Sequence, residues 1–249
     1  MKIIISPAKN MSLDADTLEP EGLPVFLDKA QMLVDYIKTL SFEDLKALLS
    51  CNENLARLNY GRYQSINLKE NTNPALVTFE GIQYKYMAPR VFTYEYFDYA
   101  REHLRILSGL YGILKPFDGI VPYRLEMQAK LKTAFCKNLY DYWGASIYEN
   151  LAGESSAPPV ILNLASEEYA KAVRKYLKPG DRFITCVFAE QIESTLKEKG
   201  VYVKMARGEM VRFMAENNIT RPEELKAFSG LDYRFSEEDS SPNRYVFKR

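Results

Sequence analysis

The run Ile3-Ile4-Ile5, closed by Ser6-Pro7, constrains this chain more than any other segment. Three consecutive β-branched residues with no polar alternation read as a buried strand. Proline has no N–H to give a ladder and ends the strand there. Val160–Leu164 and residues 183–188 carry the same signature, and segments with helical periodicity separate the three. These features predict an α/β (mixed α+β) fold: a mixed sheet with surrounding helices in one compact domain over residues 1–249. The best internal break, residues 152–159, has strand-forming segments on both sides and does not divide the chain.

Local patterns fill in the elements. Leu27, Ala30, Leu33, Val34 and Ile37 mark one helix face, Ser41 reads as the N-cap of the next helix, and another helix spans residues 53–63. Residues 75–79 and 201–205 read as strands. Residues 92–97 lead into a helix ending near Leu107. From Tyr123 the pattern alternates: Tyr123, Leu125, Met127, Ala129 and Leu131 against Arg124, Glu126, Gln128, Lys130 and Lys132. This predicts a half-buried strand with one polar face. Residues 139–151 read as one helix carrying Trp143, and Ser166 as the cap of a helix stopping at Pro179-Gly180. Thr220 with Glu223 forms a capping box, and Tyr233-Arg234-Phe235 pairs with Tyr245-Val246-Phe247 as a closing hairpin.

Rare residues exclude much chemistry. The chain has one histidine, His103, read as a helix-surface residue, and three scattered cysteines, Cys51, Cys136 and Cys186. That inventory predicts reduced thiols and no zinc site, metal or other cofactor. Neither a G-x-S-x-G elbow nor a Walker A loop occurs. The apolar run at the N-terminus is too short for a signal peptide, and nothing approaches the roughly 20 apolar residues of a membrane span, so a cytoplasmic protein is expected. With 33 Lys+Arg against 33 Asp+Glu, the net charge is zero. Any nucleic-acid grip must therefore be a local basic surface balanced by acid elsewhere, such as the segment holding Asp14, Asp16, Glu19 and Glu21.

Three polar clusters fall where strands end or helices begin, the usual ligand position in open α/β sheets. They are Ser6-Pro7-Ala8-Lys9, then Asn163-Leu164-Ala165-Ser166, then Arg207-Gly208 with Arg212. Lys9 and Arg207 can meet an anion, and Ser166 stands at a helix N-terminus, where Glu167 and Glu168 compete for the dipole. Lys171, Lys175 and Lys178 form a stripe beside Arg174, and Arg124, Lys130 and Lys132 share a strand face. If these faces adjoin, they make a positive groove. The glycine turn Leu107-Ser108-Gly109-Leu110-Tyr111-Gly112 can offer backbone N–H groups to a DNA phosphate, or can simply cap a helix.

Taken in order, Ser6-Pro7-Ala8-Lys9, residues 107–112, Pro122-Tyr123-Arg124-Leu125-Glu126-Met127, Asn163-Leu164-Ala165-Ser166 with Glu168-Tyr169, Ala206-Arg207-Gly208 with Met210, Arg212 and Phe213, and Val246-Phe247-Lys248-Arg249 resemble the YaaA family of bacterial peroxide-stress proteins. The resemblance implies a cytosolic protein that limits oxidative damage to DNA and protein and is associated with lowering free intracellular iron. It also implies a positively charged cleft, DNA binding, and a helix–hairpin–helix-like element around residues 107–112.

Two functional expectations follow. The first is a monomeric DNA-binding protein without turnover, selective for distorted or bulged duplex. Its phosphates would be held by Ser6, Lys9, Gly109, Gly112, Arg124, Asn163, Ser166, Lys171, Lys175, Arg207 and Arg212, with Tyr111 or Tyr123 stacking on an exposed base. The second is an enzyme acting on a nucleotide, nucleobase or other small anionic ligand. Its pocket would be lined by Lys9, Arg124, Glu126, Asn163, Ser166 and Arg207, with Glu126 as the catalytic acid–base candidate. Direct iron sequestration and cysteine peroxidase chemistry lack the clustering they require.

Overall fold

A computed structural model describes residues 1–13, 18–154, 158–193 and 195–249. Asp14, Asp16 and part of the 152–159 segment lie outside the described residues. The main sheet contains β1 (Lys2–Ile5), β2 (Leu104–Ser108), β3 (Gly112–Leu114), β4 (Val160–Leu164), β5 (Arg182–Ile192), β6 (Thr195–Lys197), β7 (Arg234–Phe235) and β8 (Arg244–Lys248). Their order is β7-β8-β5-β4-β1-β2-β3, with β6 paired to β5. The five central strands are parallel and the outer pairings antiparallel. Ile3, Ile4 and Ile5 are completely buried between β4 and β2, as a strand covered on both faces requires.

The helices are α1 (Leu27–Lys38), α2 (Phe42–Leu49), α3 (Glu53–Ser65), α4 (Ala75–Thr78), α5 (Ile82–Met87), α6 (Tyr94–His103), α7 (Leu139–Trp143), α8 (Ser146–Gly153), α9 (Glu167–Arg174) and α10 (Gly200–Glu216). Helix α1 buries Ala30, Leu33, Val34 and Ile37, and the Ser41 side chain accepts the Asp44 N–H at the start of α2. The β7–β8 hairpin forms as expected, with Phe235 opposite Phe247.

Several local readings are corrected. The apolar run 75–78 is a buried helical turn, α4, since so short a run carries no decisive period. Helix α6 ends at His103, and β2 follows directly with all five residues buried. Residues 201–205 lie within α10, which buries Val203, Ala206, Met210, Val211 and Met214 at helical spacing. Gly144, at φ +50°, divides the expected 139–151 helix into α7 and α8. Helix α9 stops at Arg174, short of Pro179. The capping box sits one residue later, where Glu224 accepts the Arg221 N–H at 3.0 Å and starts a 3-10 turn, Pro222–Ala227.

Two corrections bear on function. Residues 123–132 keep the expected alternation of burial but form no strand. Other elements satisfy the segment without a ladder: the Arg124 carbonyl accepts the Tyr63 hydroxyl at 3.1 Å, and the Gln128 N–H donates to Glu168 at 3.1 Å. The glycine turn 107–112 joins two strands, β2 and β3, with Ser108 opposite Gly112. It is a β-hairpin with no helix after it.

Asp118 supplies a pH test of the packing. Burial pushes its carboxyl up to about 6, against the Lys115 N–H that donates to it at 2.8 Å. A folded-state pKa above the unfolded value means that the folded protein holds the extra proton between about pH 4 and 6, so stability falls as pH rises through that window. Asp118→Asn keeps an acceptor for Lys115 and removes the titration. It is expected to flatten the loss, worth on the order of 2 kcal/mol, in urea unfolding measured from pH 4 to 7. Parallel pH profiles for the two proteins would contradict this.

Candidate functional site

Strand β1 passes to β2 on one side, whereas its other neighbour, β4, passes to β5 on the opposite side. The C-terminal ends of β1 and β4 therefore form a topological switch point, where an α/β sheet opens a crevice. Ser6 directly follows β1, and Ser166 follows β4 after one intervening residue, Ala165. The Ser6 hydroxyl accepts the Ser166 N–H at 2.8 Å and donates to the Ser166 hydroxyl at 3.2 Å, tying the two strand ends together. A cleft of about 440 Å³ opens above this tie. Its charged lining comprises Lys9, Arg124, Lys204 and Arg207 with Glu80, Glu126 and Glu168.

Glu126 links two of the cations. One carboxylate oxygen pairs with Arg124 at 3.1 Å and the other with Lys9 at 3.0 Å. Both oxygens are engaged, so Glu126 stands as an ion-pair hub. Burial raises the neighbouring Glu168 carboxyl above the usual glutamate range, and the nearby Glu126 charge adds to the rise. Arg207, unlike Lys9 and Arg124, has no direct ion pair among the described residues. Its Nε is buried without a hydrogen-bond partner, as is that of Arg124, and burial pulls its guanidinium below the usual arginine range. Among the described residues no three His, Cys, Asp or Glu side chains gather as a metal site. Burial pushes the Cys186 thiol up to about 12, far from the thiolate that attacks peroxide.

A family model described as peroxide stress protein YaaA matches residues 1–239. The chain belongs to that family. It is 57% identical over 247 residues to a UPF0246 protein of Desulfitobacterium hafniense, covering 99% of this chain and 97% of the relative. A UPF0246 protein of Agathobacter rectalis is 50% identical over 249 residues, at 100% and 99% coverage. One from Pediococcus pentosaceus is 49% identical over 247 residues, at 99% and 97%. Membership assigns the chain a role in peroxide stress.

The expected site residues divide into four groups. Ser6, Lys9, Arg124, Glu126, Ser166 and Arg207 line one cleft. Asn163 does not: it is buried, accepting the Ala165 N–H at 3.0 Å and donating to Thr185 at 3.3 Å, and so fixes the turn after β4. The remaining cations lie outside the cleft lining. Lys171 sits 4.0 Å from the Tyr140 ring, Lys175 is 5.5 Å from that of Tyr176, and Arg212 pairs with Glu216 at 2.7 Å. Arg207 does not open a helix, as its strand-then-helix reading required, but stands midway along α10.

Gly109 and Gly112 are buried and offer nothing to a phosphate. The Leu110 and Tyr111 N–H groups instead donate to the Ser108 hydroxyl at 3.1 and 2.8 Å; Tyr111 is completely buried, whereas Tyr123, 4% exposed, lines the cleft. The hairpin's role is positional. A Cβ on Gly109 would come 2.3 Å from the Leu125 carbonyl oxygen, so glycine there lets the Arg124–Glu126 backbone pack closely.

Lys204 and Gln83 are cleft residues that the sequence reading missed. Lys204 lies three residues before Arg207, on the same face once α10 is read as a helix. Gly208 seats α10 against α5 in the same way, because a Cβ there would lie 2.1 Å from the Gln83 carbonyl oxygen. Gly109→Ala and Gly208→Ala are each expected to cost about 1–3 kcal/mol in urea unfolding through overpacking. Values within about 0.5 kcal/mol of the parent would show that these approaches do not set the cleft.

No described helix is long and apolar enough to cross a membrane.

Proposed function

We propose that this peroxide-stress protein acts in the cytoplasm by holding a small anionic ligand of nucleotide size in the cleft at the ends of β1 and β4. One observation carries the reading: Arg124 and Arg207 each keep a guanidinium Nε buried and unpartnered within one cleft. Taking such a donor from water without an acceptor costs free energy, and an anion held against the same guanidinium groups offsets that cost electrostatically. The volume of about 440 Å³ falls within the roughly 300–1,000 Å³ of small-molecule sites. The apolar walls at Ile82, Tyr84 and Leu125 suit the uncharged part of such a ligand.

A second observation favours nucleic acid as an extended ligand. A further hollow of about 450 Å³ shares Lys9, Arg124 and Glu126 with the cleft and continues to Lys130. The two together make a trough able to follow a strand backbone, with one nucleotide entering the cleft. In that reading, binding to bulged or distorted duplex shields DNA from oxidative damage.

Isothermal titration with nucleoside monophosphates, beside salt-titrated binding of intact and bulged duplexes, tests both readings. Saturable binding of one monophosphate is expected, weakened about tenfold or more by Arg124→Gln. Absence of any anion binding at low salt would overturn the cleft reading. DNA affinity indifferent to salt would remove the trough reading.

A further inference from the structure

The cleft is asymmetric in how its cations are neutralised. Arg124 and Lys9 share Glu126, whereas Arg207 has no hydrogen bond or direct ion pair among the described residues, and the Glu198 charge reaches it only at longer range. The first turn of α9 belongs to the same cleft through Ser166 and Glu168. Ser166 occupies the N-cap position but makes no side-chain cap, because its hydroxyl is taken up by Ser6. That leaves the Ser166 hydroxyl proton free to donate, and the N–H groups of Glu167 and Glu168 lie outside the intrahelical ladder. The two acidic side chains do not fill the gap. Glu167 pairs with Arg174, and Glu168 accepts the Gln128 N–H.

We infer that the cleft contains a seat for the phosphate group of a phosphomonoester, formed by Arg207, the Ser166 hydroxyl and the first-turn amides of α9. This deepens the small-ligand reading and rests on it. Two independent features point to the same ligand end. One is a helix N-terminus whose amides and hydroxyl lack acceptors. The other is the pair of unpartnered guanidinium nitrogens, one on Arg124, whose side chain is only 10% exposed, and one on Arg207. A hydroxyl, two amides, a guanidinium fork and Lys204 at the cleft wall outnumber the acceptor positions of a carboxylate but match the three terminal oxygens of a phosphate. Ser6 positions the seat by holding Ser166 through both its N–H and its hydroxyl.

The test uses the full chain with inorganic phosphate, adenosine 5′-monophosphate, adenosine and acetate as probes, read by calorimetry and by thermal unfolding. Phosphate and the monophosphate are expected to bind and to raise Tm, with adenosine and acetate at least about tenfold weaker. Arg207→Gln is expected to lose about tenfold or more in phosphate affinity, Ser166→Ala several-fold, and Arg207→Lys to fall between Arg207→Gln and the parent. The ligand-free Tm of Arg207→Gln should equal or exceed that of the parent, because a partly buried cation with no direct ion pair has been removed. If phosphate binds unchanged to Arg207→Gln and Ser166→Ala but not to Arg124→Gln, the seat falls and the cleft reading stands. If all three variants bind phosphate like the parent, both fall. Acetate binding as tightly as phosphate overturns the phosphate assignment.

Discussion

The organisation of this protein depends on one strand that has no polar face. Ile3, Ile4 and Ile5 can be accommodated only with covered neighbours on both sides, and β4 and β2 supply them in parallel register. A strand so placed must give up its polar groups at its ends. At the start, buried Lys2 pairs with Glu154 at 3.0 Å and Glu102 at 3.3 Å, and Arg105 joins the same Glu154. At the finish, Ser6 meets Ser166. The ionic end closes on itself with its charges matched, and such a network locks the sheet without offering a ligand anything. The hydroxyl end remains open, and the cleft lies there.

Charge sorting in a chain of zero net charge is therefore local. Glu126 pairs with both Lys9 and Arg124 and offsets one of their two charges, while Arg207 approaches from α10 with no direct ion pair among the described residues and feels Glu198 only at longer range. Its position depends on backbone proximity more than on side-chain pairing, since Gly208 brings α10 against α5. The Gly109 turn does the same for the segment carrying Arg124 and Glu126. Glycines whose pattern suggests phosphate contact thus act one step back, setting where the cations stand.

Much of this is legible in the sequence, and the misses have physical causes. Apolar runs reveal β1, β4 and β5, because burial on both faces leaves few polar residues, Asn163 in β4 and Thr185 in β5 among them, to confuse the period. Ser6, Lys9 and Ser166 follow, since a strand end is where polar groups can emerge. The alternation over residues 123–132 reports burial correctly, yet it cannot distinguish a strand from an extended segment held by side chains such as Tyr63 and Glu168. Residues 201–205 mislead because Val201, Val203 and Met205 alternate by chance within a longer helical period, which hides Lys204 beside Arg207. The stripe of Lys171 and Lys175 runs over the last turn and the C-cap of α9, and its partners are the Tyr140 and Tyr176 rings, which no local spacing announces.

The central claim is that anion receptivity is concentrated where β1 and β4 end, and not spread along the lysine-bearing face of α9. Nitrogen-15 NMR of the labelled protein titrated with a phosphomonoester addresses it most directly. The account predicts that the Nε–H signals of Arg124 and Arg207 and the amides of residues 166–169 move together with one saturation curve. Movement confined to the region of Lys171 and Lys175, with those arginine signals still, would contradict it.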